Sequence, residues 1–337
     1  MKFNVVLLTR DEHASGRWLL DLKCALEAAD AQVRILRLSE YHSSLASTSD
    51  ISSSTIVVNR VSDAAPPGDV KMCLSALRFY MLAGCRIING IDSYTIGMAK
   101  VLHYSLFAKA GLSTPKYVVL RSQDIENIAS IKRAIDKRGI QFPVLIKPNS
   151  GGFGKGIVRF NDLPALVSAC EDAQVNLDCT LGEKLLDAFG SDDVAVLQEF
   201  VPPKDDFIYR AWFVGKAVHR AVRVRVDRDI TSAQAETSDV AADRNETKVP
   251  DFNACVCSVP FEDYQCPSDI QRDIESLIDI SKADCGSVEY LYDSAGQVQF
   301  FDFNLLSTLP DDKSYRELAD YILTDPGRTG YLSAPIR

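Results

Sequence analysis

Residues 144–156 read VLIKPNSGGFGKG. Val144, Leu145 and Ile146 make an apolar run of strand character, Lys147 fixes a charge at its end, and Gly151, Gly152, Gly154 and Gly156 follow at once. Glycines let backbone N–H groups approach an anion closely, and a lysine adds charge, so the stretch suits a phosphate grip. The G-K-[ST] ending of a Walker loop is missing, because Lys155 is followed by Gly156. A dinucleotide fingerprint would open a helix here, whereas IVRF at 157–160 reads as another strand. A glycine-rich turn between two strands works as a flap over phosphates. A purely structural hairpin accounts for the same residues nearly as well.

Upstream, FNVVLL (3–8) reads as a buried strand, residues 17–31 carry apolar groups at helical spacing, and Val33–Leu36 reads as a second strand. Thr55–Val58, ending at Asn59-Arg60, and Arg86–Asn89 add two more strands around a helix at 70–83. Such alternation predicts a doubly wound parallel sheet. Residues 46–55 are rich in Ser and Thr and read as a loop. The span 91–111 reads as one helix, followed by a strand at 117–120 and a helix at 125–138. Downstream, the pattern predicts a helix from Leu163 to Ala173, a strand from Val194 to Val201 stopped by Pro202-Pro203, and two strands across 207–226 turning at Val214-Gly215-Lys216. A polar loop at 227–252, a helix at 268–283 and a last hairpin follow, Ser287–Tyr292 and Val298–Phe303, joined by DSAG.

That hairpin sets Glu289 beside Asp302 and Asn304. The latter two lie two residues apart in a strand and share a face. Two carboxylates and an amide oxygen are hard donors of the kind that hold Mg²⁺ together with nucleotide phosphates. A solvated sheet face is the competing reading, weakened by Phe300, Phe301 and Phe303 around the pair. Gln198-Glu199-Phe200-Val201 ends another strand in polar groups whose backbone could pair with a purine base; surface strand ends often carry glutamate as well.

Taken in order, these features resemble the ATP-grasp superfamily, in particular its RimK-type glutamate ligases and carboxylate–amine ligase relatives. The resemblance covers residues 86–310. It includes Asn89-Gly90 through Lys100 and the stretch AKAGLSTPK at 108–116, which is similar to that family's A-x-x-G-[IL]-x-x-P pattern. It implies an α/β (α+β) ATP-grasp fold behind an N-terminal doubly wound parallel-sheet domain. The implied divisions are 1–95 for the first domain, 96–200 for an ATP-grasp N-terminal subdomain with the flap, 201–325 for a C-terminal subdomain with the metal site, and 326–337 for a tail.

The resemblance further implies that Lys100 and Lys147 hold ATP phosphates under the 151–156 loop, and that Gln198, Glu199, Phe200 and Val201 form the adenine hinge. Arg210 matches the arginine of a D-x-R strand. The usual aspartate is Ile208 here, leaving Asp206 as its stand-in toward the ribose. Arg223 or Arg225 matches an arginine on the transferred phosphate. Glu289, Asp302 and Asn304 match the Mg²⁺ ligands, Mn²⁺ being a substitute, with Asp302 where the family commonly has Glu. Leu305–Pro310 departs from the small-residue segment expected next, a difference on the acceptor side.

The activity implied is an ATP-dependent carboxylate–amine ligase acting through an acyl phosphate on an amino acid or small peptide. Its partners would be a small carboxylate and an amine, with a homo-oligomer allowed. Two alternatives stay open: a small-molecule kinase like the inositol phosphate kinases, which would use a basic Arg220–Arg228 acceptor pocket, and a nucleotide-binding protein without turnover. Asn59-Arg60 is a candidate carboxylate grip.

Composition sets outer limits. The 337 residues, 46% hydrophobic, are enough for two or three domains, and a net charge of −9 argues against a nucleic-acid partner. The nine cysteines show no C-x-x-C and read as reduced, mostly buried thiols. The four histidines are scattered and read as packed or surface groups. The opening MKFNVVLLTRDEH is too short for a signal peptide, and no run approaches a membrane span, so the expectation is a cytoplasmic protein with no membrane contact.

Overall fold

Residues 4–9 and 32–37 form parallel strands β1 (Asn4–Thr9) and β2 (Gln32–Arg37) around helix α1 (Arg17–Ala28). With β3 (Thr55–Asn59) and β4 (Arg86–Ile88) they make an all-parallel sheet of order β2-β1-β3-β4. Alternation along the strands gives the sheet two apolar faces. Val5, Leu7 and Val58 pack on Leu19, Leu22 and Leu26 of α1, while Leu8 and Val57 pack on Cys73, Ala76 and Leu77 of α2 (Pro67–Leu82). The structure is a computed structural model describing residues 3–41, 54–62, 65–152, 154, 156–175, 181–226 and 261–324. The expected loops at 46–55, but for its last two residues, and at 227–252, and the 326–337 tail, lie outside the described residues.

A second, antiparallel sheet holds β5 (Tyr117–Arg121), β6 (Val144–Pro148), β7 (Val158–Phe160) and β8 (Val194–Glu199) in the order β5-β8-β6-β7. Its apolar face packs on α5 (Ile128–Arg138) and α6 (Leu163–Gln174) through Ile131, Ile135, Leu166 and Ala169. β6 and β7 pair with Val144 opposite Phe160 and Ile146 opposite Val158, so the glycine loop does join two strands. The strand read as 194–201 ends at Glu199.

A third, antiparallel sheet runs β11-β10-β9-β12-β13, from β9 (Phe207–Val214), β10 (Ala217–Arg225), β11 (Phe261–Asp263), β12 (Cys285–Tyr292) and β13 (Val298–Asn304). One face buries Tyr209, Phe213, Val288, Tyr290 and Phe303 against α8 (Ser268–Ser281) and α4 (Lys100–Lys109).

The span 91–111 is not one helix. α3 (Ile91–Gly97) stops, Ala99 is extended (φ −131, ψ 115), and α4 starts afresh at Lys100. The cause lies 50 residues downstream. The Asn149 carbonyl accepts from Lys100 N–H (2.9 Å) and its side chain accepts from Val101 N–H (3.0 Å), so a residue of the glycine loop caps the helix. Two helices have no counterpart in the sequence reading: α7 (Leu181–Asp187) and α9 (Asp312–Thr324). Tyr315, Leu318 and Ile322 of α9 pack with α1 and with Trp212 of β9, joining the first sheet to the third.

A buried polar network reinforces that junction. Asn89, at φ +50 just after β4, donates to Asp284 Oδ2 (2.8 Å) and to the Cys285 carbonyl (2.9 Å), and accepts from Asp284 N–H (2.8 Å). Tyr321 of α9 donates to the other Asp284 oxygen (2.6 Å).

Candidate active site

Lys147 lies at the end of β6, a strand buried along its whole length. Its Nζ donates to Gln198 Oε1 (2.9 Å), which also accepts the Tyr104 hydroxyl, and stands 5.6 Å from the centre of the Phe301 ring. Burial, joined by the like charge of Lys100, lowers the ammonium from 10.5 to about 8, against the pull of Asp302 and Glu289. Lys100 opens α4 and donates to the Gly151 carbonyl (2.9 Å). Asn149 and Ser150 both donate to Asp192 Oδ2 (2.7 and 2.8 Å), which ties the root of the glycine loop to the sheet. Gly151, Gly154 and Gly156 all have positive φ, and a Cβ on Gly156 would meet Pro148 Cγ at 2.8 Å, so the turn requires glycine there.

From the third sheet, Glu289 faces Asp302 directly across the β12–β13 hairpin and Arg210 across the β9–β12 pair. Arg210 forms an ion pair with Glu289. Asp302 is 3.2 Å from His103 Nδ1, and the opposite ring nitrogen of His103 lies 3.2 Å from the Gly97 carbonyl. Burial disfavours ionisation of Asp302, but the hydrogen bond and charge of His103, with Lys100 and Arg210, outweigh it and hold the carboxyl below the usual aspartate range. Glu289 moves the other way. Burial and the neighbouring Asp302 raise it despite Arg210. Asn304 Oδ1 accepts from Leu306 N–H (2.9 Å), which steadies the amide at the hairpin's end.

A β-bulge between Glu289 and Tyr290 adds one residue to β13, so Phe301 and Asp302 both line the same cavity. That cavity, of about 590 Å³, brings together Lys100, Lys147, Gly151, Gly152, Gly154, Arg210, Glu289, Asp302 and Asn304. Its size is that of a small-molecule or cofactor site.

The remaining candidates lie elsewhere. Arg223 sits opposite Tyr209 in the β9–β10 register, one residue out of phase with Arg210 opposite Val222. Alternation therefore puts Arg223 and Arg225 on the other face of the sheet, where both stack on Phe207 (4.3 and 5.7 Å) and Arg223 pairs with Glu262 (2.6 Å). Neither reaches the cavity. Gln198 is buried behind Lys147 instead of presenting a strand edge. Glu199 accepts Gln141 N–H (2.8 Å) and faces Lys116 (3.9 Å), and Phe200 lies under the Arg159 guanidinium (4.6 Å). Asp206 is in a positive-φ turn whose carbonyl accepts Val226 N–H (2.7 Å). Gln198, Glu199, Phe200, Val201, Asp206 and Gly156 are not among the cavity's lining residues.

The rest of the cavity's lining was largely invisible in the sequence. Arg60, the one carboxylate candidate noted there, does line it, stacked 4.0 Å over the Trp18 ring and donating to the Leu306 carbonyl; Asn59 is buried and turned to Val61 N–H (3.0 Å). The loop before α1, Phe301, Thr308 and His103 also line it. His103 was read as a packed histidine. It is buried, but its ring faces Asp302, and only the approach of α4 to β13 reveals that.

As a divalent-cation site, Glu289, Asp302 and Asn304 offer hard oxygen donors side by side, and the fit holds on chemistry. In the free protein Arg210 pairs with Glu289, and His103 Nδ1 lies beside Asp302. Among the described residues, no three His, Cys, Asp or Glu side chains gather as a metal site. Nor, among them, is any helix long and apolar enough to cross a membrane.

No protein-family model matches the chain. A D-alanine–D-alanine ligase of Geobacillus kaustophilus is 27% identical over 163 residues, 44% of this chain and 42% of that protein. Another, of a Thermoanaerobacter species, is 29% identical over 128 residues, 35% of each. The chain thus spans about two fifths of the length of the curated relatives it matches. Among solved structures, D-alanine–D-alanine ligase from Bacillus anthracis superimposes with a TM-score of 0.64 at 15% identity over 95% of this chain and 96% of that one. D-cycloserine synthetase DcsG gives 0.61 at 14% identity over 94% and 99%, and a RimK domain ATP-grasp protein from Sphaerobacter thermophilus 0.60 at 13% over 95% and 99%. The chain shares the mixed α/β fold of these ligase and ATP-grasp neighbours.

Proposed function

We propose that the protein is an ATP-dependent carboxylate–amine ligase that joins an amino acid or small peptide to a second small molecule. The observation that carries this reading is one cavity lined by two lysines, a glycine flap, the Glu289–Asp302 pair and Arg60. Lys100, Lys147 and the flap amides would hold the triphosphate. Glu289, Asp302 and Asn304 would hold Mg²⁺, which when bound offsets charge on the phosphates. The substrate carboxylate attacks the γ-phosphorus, ADP leaves, and an acyl phosphate results. The amine nitrogen then bonds to the acyl carbon, the C–O bond to phosphate breaks, and the ammonium protons pass to phosphate and solvent. Arg210, paired with Glu289 and lining the cavity, would meet charge on the transferred phosphate. The flap's part is to keep water from the acyl phosphate. On its scattered thiols, we place the protein in the cytoplasm.

The kinase alternative loses ground on geometry. Arg220 is paired with Asp263 and Asp311, and Arg223 with Glu262, so two of the three described arginines of that cluster already sit in ion pairs. The test is incubation with MgATP and crossed panels of carboxylates and amines, followed by ADP release and mass spectrometry. A new amide with one ADP per bond supports the ligase. A phosphorylated hydroxyl compound, or no nucleotide turnover with any pair, refutes it.

A further inference from the structure

A second chamber of about 250 Å³ adjoins the cavity, with Arg17, Trp18 and Thr308 lining both, and is also lined by Trp212, Phe261, Leu309 and Tyr315. Its walls are fixed. Trp212 is buried and donates from Nε1 to the Thr308 carbonyl (3.0 Å), Tyr315 is buried, and the Trp18 and Tyr315 rings meet edge-on at 6.0 Å. The buried Trp18 Nε1 has no hydrogen-bond partner. Of the three carboxylates in its lining, Asp21 pairs with Arg17 (3.3 Å), Asp311 pairs with Arg220, and Asp312 is exposed to solvent, so what the chamber offers an occupant is mainly aromatic and aliphatic surface. An apolar cavity of about 150 Å³ already holds a benzene ring, so this chamber is large enough for an aromatic or branched aliphatic side chain.

Resting on the ligase reading, we propose that the amine substrate is an α-amino acid, free or at the C-terminus of a short peptide, whose carboxylate pairs with Arg60 and whose bulky apolar side chain fills the second chamber. The reacting carboxylate of the acid component is consumed in the acyl phosphate, whereas a carboxylate on the amine component persists through the reaction and gains from a permanent cationic partner. Arg60 lines the first cavity and lies 4.0 Å over the ring of Trp18, a residue that lines both spaces, so one substrate can reach both the guanidinium and the chamber.

Trp18 and Trp212 are the chain's two tryptophans, so intrinsic fluorescence reports the chamber without any turnover. The protein, with Mg²⁺ and a non-hydrolysable ATP analogue, is titrated with phenylalanine, leucine, alanine and lysine. ADP release is then measured with each as the amine. Phenylalanine and leucine are expected to change the fluorescence at concentrations at least about tenfold below alanine, and to exceed it in kcat/KM by about 10- to 100-fold. Thr308→Phe, which plugs the passage, and Phe261→Ala, at a partly exposed wall residue whose loss is tolerated by the core, should each shrink that preference, with melting curves checking the fold. In Arg60→Met the preference for phenylalanine over phenylalaninamide should vanish. Turnover with alanine or lysine favoured over phenylalanine overturns the proposal and leaves the ligase intact. Saturable phenylalanine binding without turnover of any pair supports the chamber and counts against the ligase. No fluorescence response to any amino acid overturns the proposal.

Discussion

Lys147 gives the phosphate end of the site a quantitative test. Its ammonium, 7% exposed and beside Lys100, loses its proton near pH 8 instead of 10.5. A polyphosphate laid against it would restore the charged form, so nucleotide binding above pH 8 has to draw a proton from solvent. If the bound value returns to the usual lysine range, uptake is about 0.9 proton at pH 9 and about 0.1 at pH 7, and the Kd weakens about tenfold between them, or ~1.4 kcal/mol. The nucleotide's own terminal phosphate adds nothing in this window, since its last proton leaves near pH 6. Calorimetric titration with a non-hydrolysable ATP analogue, in two buffers of different ionisation enthalpy at pH 7, 8 and 9, reads the proton count directly. Lys147→Arg stays charged throughout and should give a flat profile. Equal uptake in both proteins, or no uptake at pH 9 with an unchanged Kd, refutes the reasoning.

The same group has a stability consequence of definite sign. Between about pH 8 and 10.5 the unfolded chain holds more protons on residue 147 than the folded one, so the unliganded protein gains stability as pH rises through that window. Below pH 8 both states are protonated and the slope disappears. Melting curves of wild type and Lys147→Met across pH 7–10 should differ in slope only above pH 8.

Three shorter predictions concern other parts of the molecule. Asp302→Asn should leave the fold in place but remove the Mg²⁺ dependence of nucleotide affinity and lower amide formation by at least about 100-fold, as removal of a charge placed on a developing transition state does; unchanged Mg²⁺ dependence by calorimetry would count against the metal assignment. Asn89→Ala strips at least four buried side-chain hydrogen bonds, to the Cys285 and Leu305 carbonyls and from the Asp284 and Cys285 N–H groups, and should cost about 3 kcal/mol or more, read as a lower urea midpoint. Of the six described cysteines only Cys24 is exposed, while burial pushes the Cys73 and Cys285 thiols to about 12, so a native thiol-labelling reaction should mark Cys24 and spare these two until the protein is unfolded.

The features read most securely were those whose signal is local. Lys147 and the glycine loop announce themselves within 13 residues, and the Glu289–Asp302 pairing needs only a tight turn and strand alternation, both of which the chain supplies near at hand. The bulge that carries Phe301 to the cavity side breaks that alternation by one residue, and nothing in FFDFN marks where the extra residue goes. Arg223 and Arg225 failed for a related reason. They were matched by chain order and residue type, but a strand assigns its side chains to faces by register, and Arg210 opposite Val222 fixes the neighbouring arginines on the far side whatever their charge. The break at Ala99 depends on Asn149, and α9 on an apolar stripe that gains meaning only against α1 and Trp212. His103 is the furthest case. It stands in the middle of a helix whose sequence gives no sign of chemistry, and its contact with Asp302 exists only because α4 crosses β13, a partner 199 positions away in the chain. A candidate residue is legible in a sequence when its partner is a turn away. It becomes visible only in the folded protein when two elements must first be packed to bring the pair together.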